Sequence, residues 1–231
     1  MSARYAIYFS PAKHSPWWDF GAQWLGRDEC DDKALAQPVL TQIGLTDLNS
    51  ITAEPRRYGF HATLKAPFHL RDGFSVDALA ERVQALASRL RPVSLGPLQL
   101  VTLGDFVALT PVAATEELAT LAAACVVELD DLRAPLTAAE LARRRIEQLS
   151  TREQELLRQY GYPYVLERFR FHFTLSDPLP SATAWSVMLA VAQPVARLNS
   201  SAPLLLDRLC LFVEAAPGEA FKRVADLELR A

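Results

Sequence analysis

The chain has 231 residues, half of them apolar, and a formal net charge of −3. That length allows one large domain or two small ones around a substantial core. The slightly acidic balance excludes the broad positive field that long DNA needs, but leaves room for a small anionic ligand.

The opening segment, MSARYAIYFSP, lacks the charged start and long apolar run of a secretion signal, and no later stretch reaches the roughly 20 apolar residues that span a bilayer. A cytoplasmic protein with no membrane contact is expected. In chain order the pattern predicts a strand at Arg4 to Phe9, a helix at Trp17 to Leu25, a strand at Gly59 to Lys65 and a helix at Val76 to Leu90. Two strands follow, Leu98 to Leu103 and Phe106 to Thr110, joined through Gly104-Asp105 as a tight antiparallel hairpin. Helical patterns then cover Glu116 to Leu132 and Ala138 to Gln159. The remainder reads as a strand at Arg168 to Leu175, a helix at Thr183 to Ala196, and strands at Leu204 to Val213 and Phe221 to Leu229. The class is α+β. Cys30, Cys125 and Cys210 are odd in number and far apart, so neither a disulfide framework nor a thiolate metal site is expected.

Sliding the chain over itself by 111 positions reveals an internal repeat. Residues 60–102 fall on residues 171–213 without a gap, with twelve identities over 43 positions. Phe60, His61, Thr63, Leu64 and Pro67 pair with Phe171, His172, Thr174, Leu175 and Pro178. Each copy reads strand, helix, proline, strand, and such a unit cannot cover its own apolar face. The simplest packing is a single bilobal domain over residues 1–231, its copies related by a pseudo-twofold axis, with antiparallel sheets lining a central cleft and a helical insertion at about 115–160.

Both copies carry H-x-T-L, as His61-Ala62-Thr63-Leu64 and His172-Phe173-Thr174-Leu175. On a strand, residues i and i+2 share a face, so each histidine stands beside its threonine while the leucine turns to the core. Two imidazoles near neutral pH can divide the roles of proton acceptor and donor on either side of a phosphate ester. Two threonine hydroxyls can donate hydrogen bonds to its non-bridging oxygens. Neither a metal nor an organic cofactor is required. The same parity puts Arg170, and Lys65 and Arg57 on the other copy, on the polar faces; Arg170 is the favoured additional phosphate contact, with Lys65 second. Arg168 joins them if its strand extends that far. His14 and His69 have no repeat partner and read as loop or surface residues.

The paired H-x-T motifs, with RYAIYF at 4–9, WLGRD at 24–28, RYGFHATLKAPF at 57–68 and FRFHFTL at 169–175, resemble the 2H phosphoesterase superfamily, and within it the bacterial branch encoded beside phosphonate-degradation genes. The resemblance implies catalytic histidines at His61 and His172 and phosphate-binding threonines at Thr63 and Thr174. It implies a metal-independent cyclic phosphodiesterase, a hydrolase acting on a small nucleotide or ribose phosphate, with an RNA end also admitted as substrate. A degenerate member that binds a phosphorylated ligand or regulates is the alternative. A zinc enzyme would need an H-E-x-x-H spacing, which neither histidine has. Walker and Rossmann glycine patterns are absent too. Thr137-x-x-Glu140 and Ser150-x-x-Glu153 are capping-box patterns that open two successive helices around Arg143-Arg144-Arg145, superficially like a helix-turn-helix. The interleaved glutamates make a solvated helical insertion the better reading.

Overall fold

The computed structural model describes residues 3–40, 45–142, 144 and 146–231, and the side chains of 45–47 are left aside. The elements in chain order are β1 (Arg4–Phe9), α1 (Pro16–Leu25), the two-residue strands β2 (Arg27–Asp28) and β3 (Lys33–Ala34), α2 (Leu45–Ile51) and α3 (Ala53–Tyr58). Then come β4 (Ala62–Phe68), α4 (Val76–Ala87), β5 (Val93–Ser94), the hairpin of β6 (Leu98–Leu103) and β7 (Phe106–Pro111), and α5 (Glu116–Val127). The chain closes with α6 (Ala138–Ala142), α7 (Thr151–Tyr160), β8 (Phe173–Thr174), α8 (Ser181–Ser201), β9 (Leu205–Leu206), β10 (Arg208–Glu214) and β11 (Lys222–Glu228). The α+β class is thereby established, with every strand pairing antiparallel.

One sheet has the order β11-β10-β1-β4 and another β6-β7-β8. Each therefore holds the opening strand of one sequence repeat and the closing strand of the other, β4 with β10 and β8 with β6. The short strands between them, β5 and β9, pair directly through Val93 with Leu206 and Ser94 with Leu205.

Strand β1 is apolar throughout because both of its faces are covered. Ile7 and Phe9 enter the main core with Leu209, Leu211 and Leu227. Ala6 and Tyr8 point to the opposite side and join Cys210, Phe212 and Phe221 in a second cluster. Helix α1 lies over the main core with Trp17, Trp24 and Leu25 buried, capped by the Ser15 side chain at its start and by left-handed Gly26 at its end. The indole N–H of Trp24 donates to the Leu175 carbonyl at 2.7 Å, tying this helix to the end of β8. Among the described residues no helix is long and apolar enough to cross a membrane.

Three expected elements differ. Glu116 to Leu132 divides into α5 and a 3-10 turn at Asp130–Leu132. The expected helix at Ala138 to Gln159 breaks into α6, a 3-10 turn at Ile146–Gln148 and α7, which Ser150 and Glu153 open with a complete capping box. Arg143 and Arg145 lie outside the described residues. The third difference is the strand at Arg168 to Leu175, of which only Phe173–Thr174 pairs with β7. Leu166 at φ 52° begins a 3-10 turn, Leu166–Arg168, so extended pairing cannot start at Arg168.

Candidate active site

The two H-x-T-L motifs meet through aromatic packing. Phe60, directly before His61, stacks on Phe173, directly after His172, with ring centroids 4.6 Å apart and planes 13° off parallel. Both rings are fully buried. The stack needs a gap in α1, and Gly21 provides it: a Cβ there would stand 1.9 Å from the Phe60 ring. A second link runs through Asp177, three residues after Thr174. Its carboxylate accepts the backbone N–H groups of Ala53 and Glu54 at 3.1 Å each, capping the N-terminus of the helix that leads to His61.

Each imidazole is held in the same manner. His61 Nδ1 lies 2.9 Å from the Gly59 carbonyl and His172 Nδ1 lies 2.7 Å from the Arg170 carbonyl. Gly59 and Arg170 occupy equivalent positions in the 111-residue register, so one local backbone arrangement serves both. A carbonyl only accepts, so each Nδ1 carries the proton and each Nε2 is left with a lone pair. On the first copy that lone pair faces the Thr63 hydroxyl at 3.4 Å. Gly59 itself cannot be exchanged freely. Its φ of 78° is left-handed, and a Cβ would fall 2.7 Å from that of Glu29.

The surroundings of the two rings differ. His61 stacks on Tyr8 at 3.9 Å and borders Tyr58 and Phe212, so burial pushes its pKa down to about 4, with the proximity of His172 adding to the shift. His172 has Phe106 as its ring neighbour at 5.8 Å. Burial lowers its pKa as well, against the hydrogen bond to Arg170.

Two adjoining cavities open around the pair. One, of about 480 Å³, is lined by His172, Thr63, Phe106, Tyr162, Arg168 and Arg170. The other, of about 570 Å³, is lined by His61, Thr63, Thr174, Tyr8, Phe106 and Tyr162. Thr63, Ala66, Phe106 and Tyr162 belong to both and form the shared wall.

Lys65 departs from expectation. It is 3% exposed, lines neither cavity, and its ammonium donates to the Val126 carbonyl at 3.0 Å and to Asp130 at 3.2 Å. The cause is a bulge. Opposite β1, Tyr8 pairs with Thr63 but Ile7 pairs with Lys65, so one extra residue, Leu64, interrupts the alternation. Lys65 therefore follows Ile7 to the core side while Thr63 stays with Tyr8. Arg57 is likewise engaged, on the buried Glu214 carboxylate and the Glu219 carbonyl. His14 is exposed, and His69 meets the Ala3 carbonyl. Sequence reasoning missed Tyr8, Tyr162 and Phe106 as cleft residues and Asp177 as the cap. Asp177 was legible only as a helix cap for a helix the pattern did not reveal.

Residues 63–222 match a family described as a protein of unknown function, DUF1045. A relative from Janthinobacterium sp. (strain Marseille), named ribose 1,5-bisphosphate phosphokinase PhnN, is 41% identical over 221 residues, covering 94% of this chain and 49% of its own. One of the same name from Laribacter hongkongensis (strain HLHK9) is 37% identical over 219 residues, covering 95% and 50%. The chain thus spans about half the length of the curated relatives it matches. These names overturn the expected hydrolase: a phosphokinase transfers a phosphoryl group, whereas a cyclic phosphodiesterase adds water across an ester.

Proposed function

The chain belongs to the DUF1045 family, and from that premise we propose that its cleft is the sugar-phosphate end of a phosphoryl-transfer enzyme, acting in the cytoplasm in phosphonate metabolism on a small phosphorylated ribose compound. The observation that carries the reading is the duplicated histidine station, with Nδ1 held by the backbone and Nε2 left as the acceptor on each copy, beside Thr63 and Thr174. The relatives' name supplies the substrate class and the transfer chemistry. Kinship with the 2H superfamily, as the two motifs imply it, concerns the scaffold and the proton-handling pair. These 231 residues contain no glycine-rich nucleotide loop, so the proposal assigns them the acceptor side of the reaction.

In this scheme Thr63 and Thr174 donate hydrogen bonds to the phosphate of the sugar ligand. His61, the ring more deeply packed among aromatics, is neutral, and its Nε2 takes the proton of the sugar ligand's acceptor oxygen as that oxygen bonds to the terminal phosphorus of a nucleoside triphosphate held outside these residues. The bridging P–O bond of that triphosphate breaks to release the nucleoside diphosphate. His172, on the more open side, holds a proton once an anion lies beside it and donates to phosphate oxygen as charge develops there. Arg170 lines the same cavity as His172.

The test is NMR of the ring protons of His61 and His172 during titration with ribose 5-phosphate. Binding should raise both imidazole pKa values, since a nearby anion favours the charged ring. Wild-type rings that keep their shifts and pKa values throughout the titration would remove this reading.

A further inference from the structure

The cleft is larger than one phosphate station requires, and its two cavities differ in how their arginines are engaged. The cavity with His61 holds the threonine pair together with the half-buried Arg4 and Arg144, while the adjoining cavity with His172 holds Arg168 and Arg170, both exposed. Among the described residues neither guanidinium makes a side-chain hydrogen bond or an ion pair of contact length. Other arginines near the cleft are already engaged: Arg57 binds Glu214, Arg4 binds the same carboxylate, Arg152 binds Glu167, and Arg144 lies over the Tyr162 ring at 5.5 Å. Two carboxylates also border the His172 cavity, Glu153 and Glu167. Each has its own partner, since Glu153 accepts from the Ser150 N–H and hydroxyl at 2.8 Å and Glu167 takes Arg152. They reduce the local positive potential without occupying the arginine donors.

The 3-10 turn is what separates these arginines from the threonine station. Had β8 extended back to Arg168, both would have continued the line of His172 and Thr174 along one strand face. Instead the turn at Leu166–Arg168 leaves Arg168 and Arg170 across the shared wall of Thr63, Ala66, Phe106 and Tyr162 from the cavity that holds Thr174. Tyr164, 47% exposed on the same cavity and edge-on to Tyr162, offers an apolar face at this second station.

We propose that Arg168 and Arg170 form a second phosphate subsite, so that the cleft takes a pentose bearing two phosphates, one at the threonine pair and the other at the arginines, with the sugar lying across the shared wall. This rests on the reading of the threonine station given above and adds the class of ligand. Two guanidiniums can present paired N–H donors to phosphate oxygens, and hydrogen bonds of this charged kind are stronger than neutral ones.

The experiment is calorimetric titration of the full chain with ribose 5-phosphate and ribose 1,5-bisphosphate, in wild type, in Arg168→Ala/Arg170→Ala, and in Thr63→Val/Thr174→Val. Wild type should bind the bisphosphate at least about tenfold more tightly, as one added charge-assisted contact supplies. The arginine variant should lose that preference, its loss for the bisphosphate exceeding its loss for the monophosphate by about tenfold or more. The threonine variant should weaken both ligands. Equal wild-type affinities, or an arginine variant that weakens both ligands alike, would overturn the second subsite while leaving the first standing. Wild type that binds neither sugar phosphate would overturn both. The arginines are exposed, so the fold of their variant is not at risk, and near-ultraviolet circular dichroism checks it.

Discussion

Lowering the pH from 7 to 5 should destabilise this protein by up to about 2 kcal/mol through His61 alone. In the folded chain its pKa is pushed down to about 4 by packing against Tyr8, Tyr58 and Phe212, against about 6.5 in an unfolded chain. The unfolded state therefore binds the proton first. Stability contributed by the neutral ring is complete above pH 6.5 and is lost as the pH falls toward 4, at a limiting slope of about 1.4 kcal/mol per pH unit. The figure is an upper bound, because the ring borders an open cavity where water screens part of the charge. Urea unfolding at a series of pH values, on wild type and on His61→Phe, isolates the effect: the variant keeps an aromatic ring against Tyr8 but cannot titrate. The wild-type curve should fall more steeply than the variant's between pH 6.5 and 4. Parallel curves, or a ring-proton titration of His61 centred near 6.5, would refute the reasoning.

Lys65→Met should cost about 1–3 kcal/mol by denaturant unfolding, because it leaves the Val126 carbonyl without its Lys65 donor and Asp130 with Arg133 alone. Its ribose phosphate affinity should stay close to wild type, and a selective loss of affinity would return Lys65 to the ligand. Gly21→Ala sets two effects against each other. Helix propensity favours alanine by about 1 kcal/mol, whereas a methyl 1.9 Å from the Phe60 ring overpacks the core at a cost of about 1–3 kcal/mol. Thermal melting should show net destabilisation, and a raised midpoint would mean that the Phe60 and Phe173 stack yields easily.

Legibility in the sequence followed the range of the interactions that decide each element. Strand β1 and the β6-β7 hairpin matched their patterns because alternation and a glycine turn are local signals; Gly104 takes the left-handed φ of 64° that the hairpin needs. Helices α2 and α3 were missed. The segment SITAEPRRYG has little apolar periodicity, and α3 exists because Asp177, over 120 residues away, caps its first N–H groups while Arg27 binds the carbonyls of Arg56 and Arg57 at its end. No window of sequence contains such a cap. The length of β8 was overestimated for a related reason. Its residues alternate well, but extended pairing needs a partner strand, and β7 reaches only Phe173 and Thr174.

At the site, parity worked where strands were regular and failed at a bulge. The repeat register led to His61, Thr63, His172 and Thr174, all of which border one pair of adjoining cavities. The same counting put Lys65 beside them, and the extra residue at Leu64 reversed it. A bulge is a property of two strands in register, so a single strand cannot announce it. Yet it has a functional consequence here: by sending Lys65 inward to Asp130, it removes the nearest cation from the Thr63 face. The arginines that share a cavity with Thr63, Arg168 and Arg170, come from the segment just before the other repeat. The exposed arginines of this cleft thus stand on the His172 side, and an anionic ligand should meet their donors there before either histidine acts.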